Sequence, residues 1–266
     1  MPYFQNSDVE IYYEIDGEGP EVIFFAHGFL LNTQMFEWQI EDFKEKYTCV
    51  AMDFRGQGLS SVPKSGYEIS NLAEDVVALM SYLGKSRIHF VGHSMGGFVG
   101  LQLALKHQHL LKSLTLMNTS ARAESEIALK NARKTAWFIR LFGINTSLSS
   151  IYELMFGETF RNDEELEDEH LIMRNRILSN NKKGILRALR GMLSREDVTS
   201  ELSRITVPSL VISGTEDKAI PSAHSKELAE GLPNATFQLL PKCGHTPPVE
   251  YPDAINQMLE IFWSKI

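Results

Sequence analysis

Cysteine is nearly absent. Cys49 and Cys243 are the two in a chain of 266 residues. They stand far apart with no C-x-x-C spacing, which excludes a disulfide-stapled scaffold and a cysteine-rich zinc module. Long apolar runs are missing as well; the cleanest span about five residues, against the ~20 that a helix needs to cross a bilayer. The opening stretch MPYFQNSDVEIYYEID has neither a basic start nor an apolar segment, so it does not read as a secretory signal. Nor is there an excess of positive charge: 26 Lys and Arg face 34 Asp and Glu, a net charge of −8. Nucleic acid is therefore not an expected partner, because a duplex binder needs a dominant basic surface. The chain is 43% hydrophobic and 23% charged, which is enough apolar material to exclude disorder. The expectation is a cytoplasmic protein without a membrane span.

Six short apolar runs recur, at 22–26, 48–52, 87–91, 113–117, 209–213 and 236–240. Each is too short for a buried helix, and most are apolar throughout, as strands covered on both faces are. Helical patterns lie between them. In 71–83, Leu72, Val76, Leu79 and Leu83 share one face, Ser70 and Asn71 offer N-caps, and Gly84 is a stop. Residues 95–107 read as a buried helix and 252–265 as an amphipathic one. Near the start, 3–4 and 9–15 flank the turn residues Asn6-Ser7-Asp8, which reads as a β-hairpin. This alternation predicts an α/β fold with a doubly wound, mostly parallel sheet. It breaks between 121 and 200, where 123–142, 149–156, 163–178 and 183–193 all look helical. The expected organisation is thus a core of 1–120 and 201–266 carrying a helical cap at 121–200. The insertion holds 13 basic and 12 acidic residues and the remainder 13 and 22, so the two differ in composition.

The strongest chemical signal is Gly92-His93-Ser94-Met95-Gly96. It is a G-x-S-x-G sequence following a strand and opening a helix, the context that exposes a serine hydroxyl on a sharp turn. Serine is a weak nucleophile and needs a base. Of eight histidines, His245 stands in a loop after the last strand, where open α/β sheets gather function. His93 adjoins Ser94, and neighbouring side chains on a tight turn diverge. An orienting carboxylate is expected after run 209–213, where Asp217 is the choice and Glu216 the nearest competitor. The order Ser94, Asp217, His245 is that of α/β hydrolases. Acyl transfer also needs two N–H donors for the oxyanion; Met95 follows the nucleophile, and Phe29 stands in the loop His27-Gly28-Phe29-Leu30 after run 22–26. His27 reads as structural.

These motifs, together with DFRGQGLS at 53–60, GTEDKAIP at 214–221 and CGH at 243–245, resemble the α/β-hydrolase fold superfamily, in the group of haloperoxidase-like serine esterases. The resemblance spans essentially the whole chain. It implies a triad of Ser94, Asp217 and His245, an oxyanion hole at Phe29 and Met95, a structural role for Asp53, and no metal or organic cofactor. The implied substrate is a small-molecule carboxylic ester; the alternatives are a lactonase or carbon–carbon bond hydrolase on the same triad, or a small-molecule receptor or signalling protein that retains the triad without turnover. Some departures narrow this. Dehalogenases and epoxide hydrolases of the fold usually carry Asp where Ser94 stands. Cofactor-free haloperoxidases commonly have Pro where Leu30 stands. The segment Phe29-Leu30-Leu31 is unlike the glycine-rich loop of carbon–carbon bond hydrolases, and enol-lactonases usually lack the His27-Gly28 pair. In the insertion, Trp137, Phe138, Leu141 and Phe142 fall on one helical stripe, with Met155, Phe156, Met173, Met192 and Leu193 as further apolar surface. The expectation is an acyl pocket roofed by these residues.

Overall fold

The computed structural model describes residues 2–266. β1 (Tyr3–Asn6) and β2 (Val9–Asp16) form the expected hairpin, with Tyr3 opposite Tyr12 and Asn6 opposite Val9. The six apolar runs are strands β3 (Val22–Ala26), β4 (Thr48–Met52), β5 (Ile88–His93), β6 (Leu111–Met117), β7 (Ser209–Gly214) and β8 (Ala235–Leu240). All eight join one sheet in the order β1-β2-β4-β3-β5-β6-β7-β8. The β1–β2 and β2–β4 pairs are antiparallel and the others parallel. Every residue of β3, β4, β5 and β7 is buried, because helices cover both faces. β8 differs: Thr236, Gln238 and Leu239 are exposed, since this strand lies at the sheet edge.

Helices α1 (Glu37–Phe43), α2 (Ile69–Tyr82) and α3 (Met95–His107) fall among the first six strands. α2 begins earlier than its capping residues suggest, with Glu68 at the cap position and Ser70 and Asn71 inside the helix. The reason is burial: Ile69 extends the stripe of Leu72, Val76 and Leu79 back by one turn, and all four are in the core. Gly84, at φ +65°, ends the element as expected. Between β6 and β7 come α4 (Glu126–Phe142), α5 (Leu148–Met155), α6 (Glu158–Arg161), α7 (Glu167–Leu178) and α8 (Lys182–Leu193). The chain closes with α9 (Ser222–Gly231), α10 (Pro247–Glu250) and α11 (Pro252–Trp263). Among the described residues, no helix is long and apolar enough to cross a membrane.

Successive strand side chains point to opposite faces, and they build two apolar clusters. Phe24, Val50, Phe90, Leu114 and Val211 meet α2 and α3 on one side. Phe25, Ala51, Val91, Met117 and Ile212 meet Phe43 of α1 and Leu259 and Trp263 of α11 on the other. Met155, Phe156 and Met173 belong to that second cluster, so they pack rather than line open space. α4 departs from expectation. It turns Ile139 inward, 3% exposed, while Trp137, Phe138, Leu141 and Phe142 all face outward, Trp137 at 55%. The small residues Ala128, Ala132 and Ala136 share the inward side, allowing that side rather than the bulky stripe to approach the rest of the molecule.

Candidate active site

A single residue, Ser94, separates the end of β5 from the start of α3. Its φ of +50° and ψ of −111° are strained for a residue with a Cβ, a cost on the order of 1–3 kcal/mol. Neighbouring strands hold it there. Ser94 N–H donates to Met117 O at 2.9 Å, and Ser94 O accepts from Gly97 N–H at 2.9 Å and from the Thr119 hydroxyl at 2.9 Å. The turn passes so close to β3 that a Cβ on Gly96 would lie 2.1 Å from Ala26 O. That contact is the physical reason for glycine two residues after Ser94.

The loops after β7 and β8 bring the other two side chains to Ser94. His245 Nε2 lies 2.9 Å from Ser94 Oγ, and its Nδ1 lies 2.8 Å from Asp217 Oδ2. With the Nδ1 proton donated to Asp217, Nε2 accepts from the serine hydroxyl. Asp217 Oδ1 accepts from Ala219 N–H at 2.8 Å and Ile220 N–H at 2.9 Å, which fixes the carboxylate and aims Oδ2 at the ring. All three side chains are buried. Glu216 faces away: its oxygens accept from Thr159 N–H at 2.8 Å and Thr159 Oγ at 2.6 Å. Partial burial pushes this carboxyl up, but the Thr159 bonds outweigh it and hold Glu216 below the usual range.

The two residues expected to supply amide donors adjoin the Ser94 turn, Met95 in sequence and Phe29 through its neighbour Gly28. Met95 opens α3, and first-turn amides have no acceptor within their own helix. Phe29 follows Gly28, which packs on the Ser94 turn so tightly that a Cβ there would lie 3.3 Å from Ser94 Cβ. Next in the loop, Leu30 takes φ +68°, and Gln57 Oε1 accepts its N–H at 2.8 Å. His27 is structural, as read from sequence. Its Nδ1–H donates to Gly28 O at 2.7 Å, and Nε2 accepts from Phe54 N–H at 2.9 Å. Burial lowers its pKa to about 4, so the ring is neutral. Asp53 accepts from Thr33 N–H and Leu59 N–H, both at 2.7 Å, tying these loops together. Burial outweighs those bonds and raises its pKa to about 6.

Three organising residues escape a sequence reading. His93 Nε2–H donates to His245 O at 2.5 Å, so the discounted histidine supports the backbone of the selected one. Burial holds His93 far below the ordinary imidazole range. Asn118, at φ +46°, donates to Gly244 O at 2.6 Å and accepts from Gly214 N–H at 2.9 Å, joining the ends of β6 and β7 to the His245 loop. Glu250 accepts from Gly244 N–H and Thr246 N–H at 2.7 and 2.9 Å. One signal for Glu250 was present: an acid shortly after Thr246 at a helix start resembles capping chemistry.

A G-x-S-x-G turn, a mostly parallel sheet and a Ser94–His245–Asp217 cluster at the strand ends define a class, and comparison with known proteins agrees. Residues 21–252 match the family described as alpha/beta hydrolase fold, and the chain belongs to that family. Hydrolases are among its relatives. It is 30% identical to 3-oxoadipate enol-lactonase 2 of Acinetobacter baylyi over 254 residues, 95% of this chain and 92% of the relative. Among solved structures, a thermophilic esterase from Thermogutta terrifontis superposes with TM-score 0.89 at 30% identity, covering 97% of this chain and 94% of that one. The enol-lactonase from Burkholderia xenovorans LB400 does so with TM-score 0.90 at 28% identity, covering 99% and 100%.

Proposed function

We propose that this protein is a serine hydrolase that cleaves carboxylic esters of small-to-medium apolar acyl groups through an acyl-enzyme, using no metal or organic cofactor. One observation carries the reading: the unbroken hydrogen-bond chain from Asp217 through His245 to Ser94, at 2.8 and 2.9 Å, on a strained turn. Ser94 Oγ attacks the ester carbonyl while His245 Nε2 takes its proton. Asp217 keeps the imidazole in the required tautomer and stabilises the imidazolium. The amides of Phe29 and Met95 receive the developing oxyanion. The imidazolium then protonates the departing alcohol, and water activated by His245 releases the acid from Ser94. Ser94→Ala should abolish turnover of p-nitrophenyl esters while the protein stays folded. A phosphonate reagent should label the wild type on Ser94 alone; near-normal activity of the variant, or labelling elsewhere, rejects the mechanism.

In this reading residues 121–200 act as a cap over Ser94, on a core formed by 1–120 and 201–266. An apolar acyl group is favoured because several basic side chains of the cap are engaged elsewhere and many of the others are exposed on helix faces interleaved with acids. Arg122 pairs with Glu227, Arg176 with Glu37 and Arg195 with Glu124, while Arg187 donates to Pro63 O. Each added CH₂ of the acyl chain should raise kcat/KM by up to ~0.8 kcal/mol of binding, about fourfold, until the pocket is full. Preference for a dicarboxylic monoester over this series would overturn the apolar assignment. A second reading, lactone opening on the same residues, is supported by the enol-lactonase names of two relatives, against the sequence expectation drawn from His27-Gly28. Enol-lactones and acyl-lactones beside the ester series decide between them: the class with the larger kcat/KM is the substrate class.

A further inference from the structure

Both loops that carry the polar partners of Ser94 also grip the helical segment, and they grip it at one place. Glu216 directly precedes Asp217; its two oxygens accept from the amide and hydroxyl of Thr159 in α6. Glu250 lies five residues beyond His245 and is buried. Its Oε2 accepts from Gly157 N–H at 3.1 Å and Gly244 N–H at 2.7 Å, and its Oε1 lies 2.9 Å from both Thr246 N and Thr246 Oγ. Gly244 and Thr246 flank His245, and Gly157 immediately precedes α6. The Thr246 hydroxyl also lies 3.1 Å from Met155 O at the end of α5. The backbones meet directly: a Cβ on Gly244 would lie 2.0 Å from Gly157 N, and one on Gly157 would lie 2.8 Å from Glu216 Oε2 and 2.9 Å from Glu250 Oε2.

We propose that Glu250 is a positioning residue for His245, and that Glu250 and Glu216 together latch residues 157–159 to the Asp217 and His245 loops. Seating of the helical segment and alignment of the three polar side chains then form one equilibrium. The proposal rests on the hydrolase reading above for its effect on turnover, but the latch itself is a statement about backbone. The two acids differ in what can replace them. Glu250 meets three amides and a hydroxyl, so it needs acceptors on both oxygens; a glutamine turns an NH₂ toward one side and satisfies the amides of the other side only. Glu216 meets one amide and one hydroxyl. A glutamine there accepts from the amide and donates to the hydroxyl, keeping both bonds.

The experiment combines kinetics on a short p-nitrophenyl ester, thermal melts, and amide hydrogen exchange at Gly157 and Gly244. A shift of about 1 Å in a catalytic group can cost on the order of 10²-fold. Glu250→Gln should therefore lower kcat by ~10–100-fold with KM changed less than ~3-fold, while remaining folded at the assay temperature. Exchange should accelerate at Gly157 and Gly244 together. Glu216→Ala should also lower kcat, Glu216→Gln should recover most of that loss, and Glu216→Ala combined with Glu250→Gln should lose less than the product of the single effects. Folded Glu250→Gln with wild-type kcat overturns the proposal. So does unchanged exchange at Gly157 in that variant, or equal losses in Glu216→Ala and Glu216→Gln. Should Glu250→Gln fail to fold, the Glu216 pair and exchange at Gly244 in Glu216→Ala decide. Exchange needs no turnover, so a surviving activity in Ser94→Ala would reject the hydrolase mechanism without touching the latch result.

Discussion

Two adjacent acids show how much a single position decides. Asp217 turns Oδ2 to the ring of His245, while Glu216 spends both oxygens on Thr159. Replacing Asp217 by Asn keeps the shape but presents an NH₂ where the ring N–H must donate, favouring the wrong imidazole tautomer. The expected loss in kcat is on the order of 10⁴, with little change in thermal stability. Glu216→Gln retains its bonds to Thr159 and should lose far less. Steady-state kinetics on the two variants checks this; the reverse ranking would show that the wrong carboxylate had been assigned. His93 illustrates the other side. It is unsuited to act as a base because its Nε2–H is committed to the carbonyl of His245 and burial disfavours its taking up a proton.

At the scale of the element, α4 carries its largest side chains on the solvent side. An amphipathic stripe conventionally marks the buried face, yet here Trp137, Phe138, Leu141 and Phe142 are exposed and Ile139 is the residue inside. The aromatic rings contact one another, with Trp137 and Phe138 centroids 5.1 Å apart and Phe138 and Phe142 6.2 Å apart. The consequence is a clear contrast between neighbours. Ile139→Ala removes buried methylenes and should cost ~2–4 kcal/mol. Trp137→Ser should stay within about 0.5 kcal/mol, as surface substitutions do. Urea denaturation of both variants tests which face packs, and equal losses would reverse the assignment.

The whole molecule responds to pH through groups buried far from water. His27 has its pKa lowered from 6.5 to about 4 by burial. In the window between those values the unfolded chain binds a proton at this position and the folded chain does not. Stability from His27 is therefore complete above pH 6.5 and is lost as pH falls toward 4, at about 1.4 kcal/mol per pH unit. Asp53 works in the opposite sense. Burial raises it from 3.8 to about 6, so ionisation strains the folded state above that pH and the strain is relieved below it. The wild-type profile mixes the two. A difference isolates the histidine: the stability gap between wild type and His27→Gln should narrow steadily from pH 6.5 to 4 in urea melts. A constant gap would mean that folding does not lower the pKa of His27.

The strands, the sharp turn at Ser94 and the helical identity of 123–193 were legible because each depends on neighbours in sequence. Apolar runs of strand length and a G-x-S-x-G between strand and helix are local patterns with local causes. Asp217 and His245 could be nominated from chain order and loop position after a strand, and the structure brings both side chains to Ser94. The start of α2 was not, because burial of Ile69 against the sheet outweighs the capping preference of Ser70 and Asn71. The outward stripe of α4 was not, because which face of a helix is covered depends on what the rest of the chain presents to it. The roles of His93, Asn118 and Glu250 were hidden for the same reason. His93 and Asn118 hold backbone that becomes their neighbour only when β5, β6 and the loop after β8 meet at the C-terminal ends of the strands, and Glu250 meets Gly157 only when the segment before α6 packs there. The sequence by itself determined the elements and the chemistry available; tertiary structure decided which faces are covered and which polar groups hold the reacting ones in line, because burial and long-range hydrogen bonding arise only when distant segments meet.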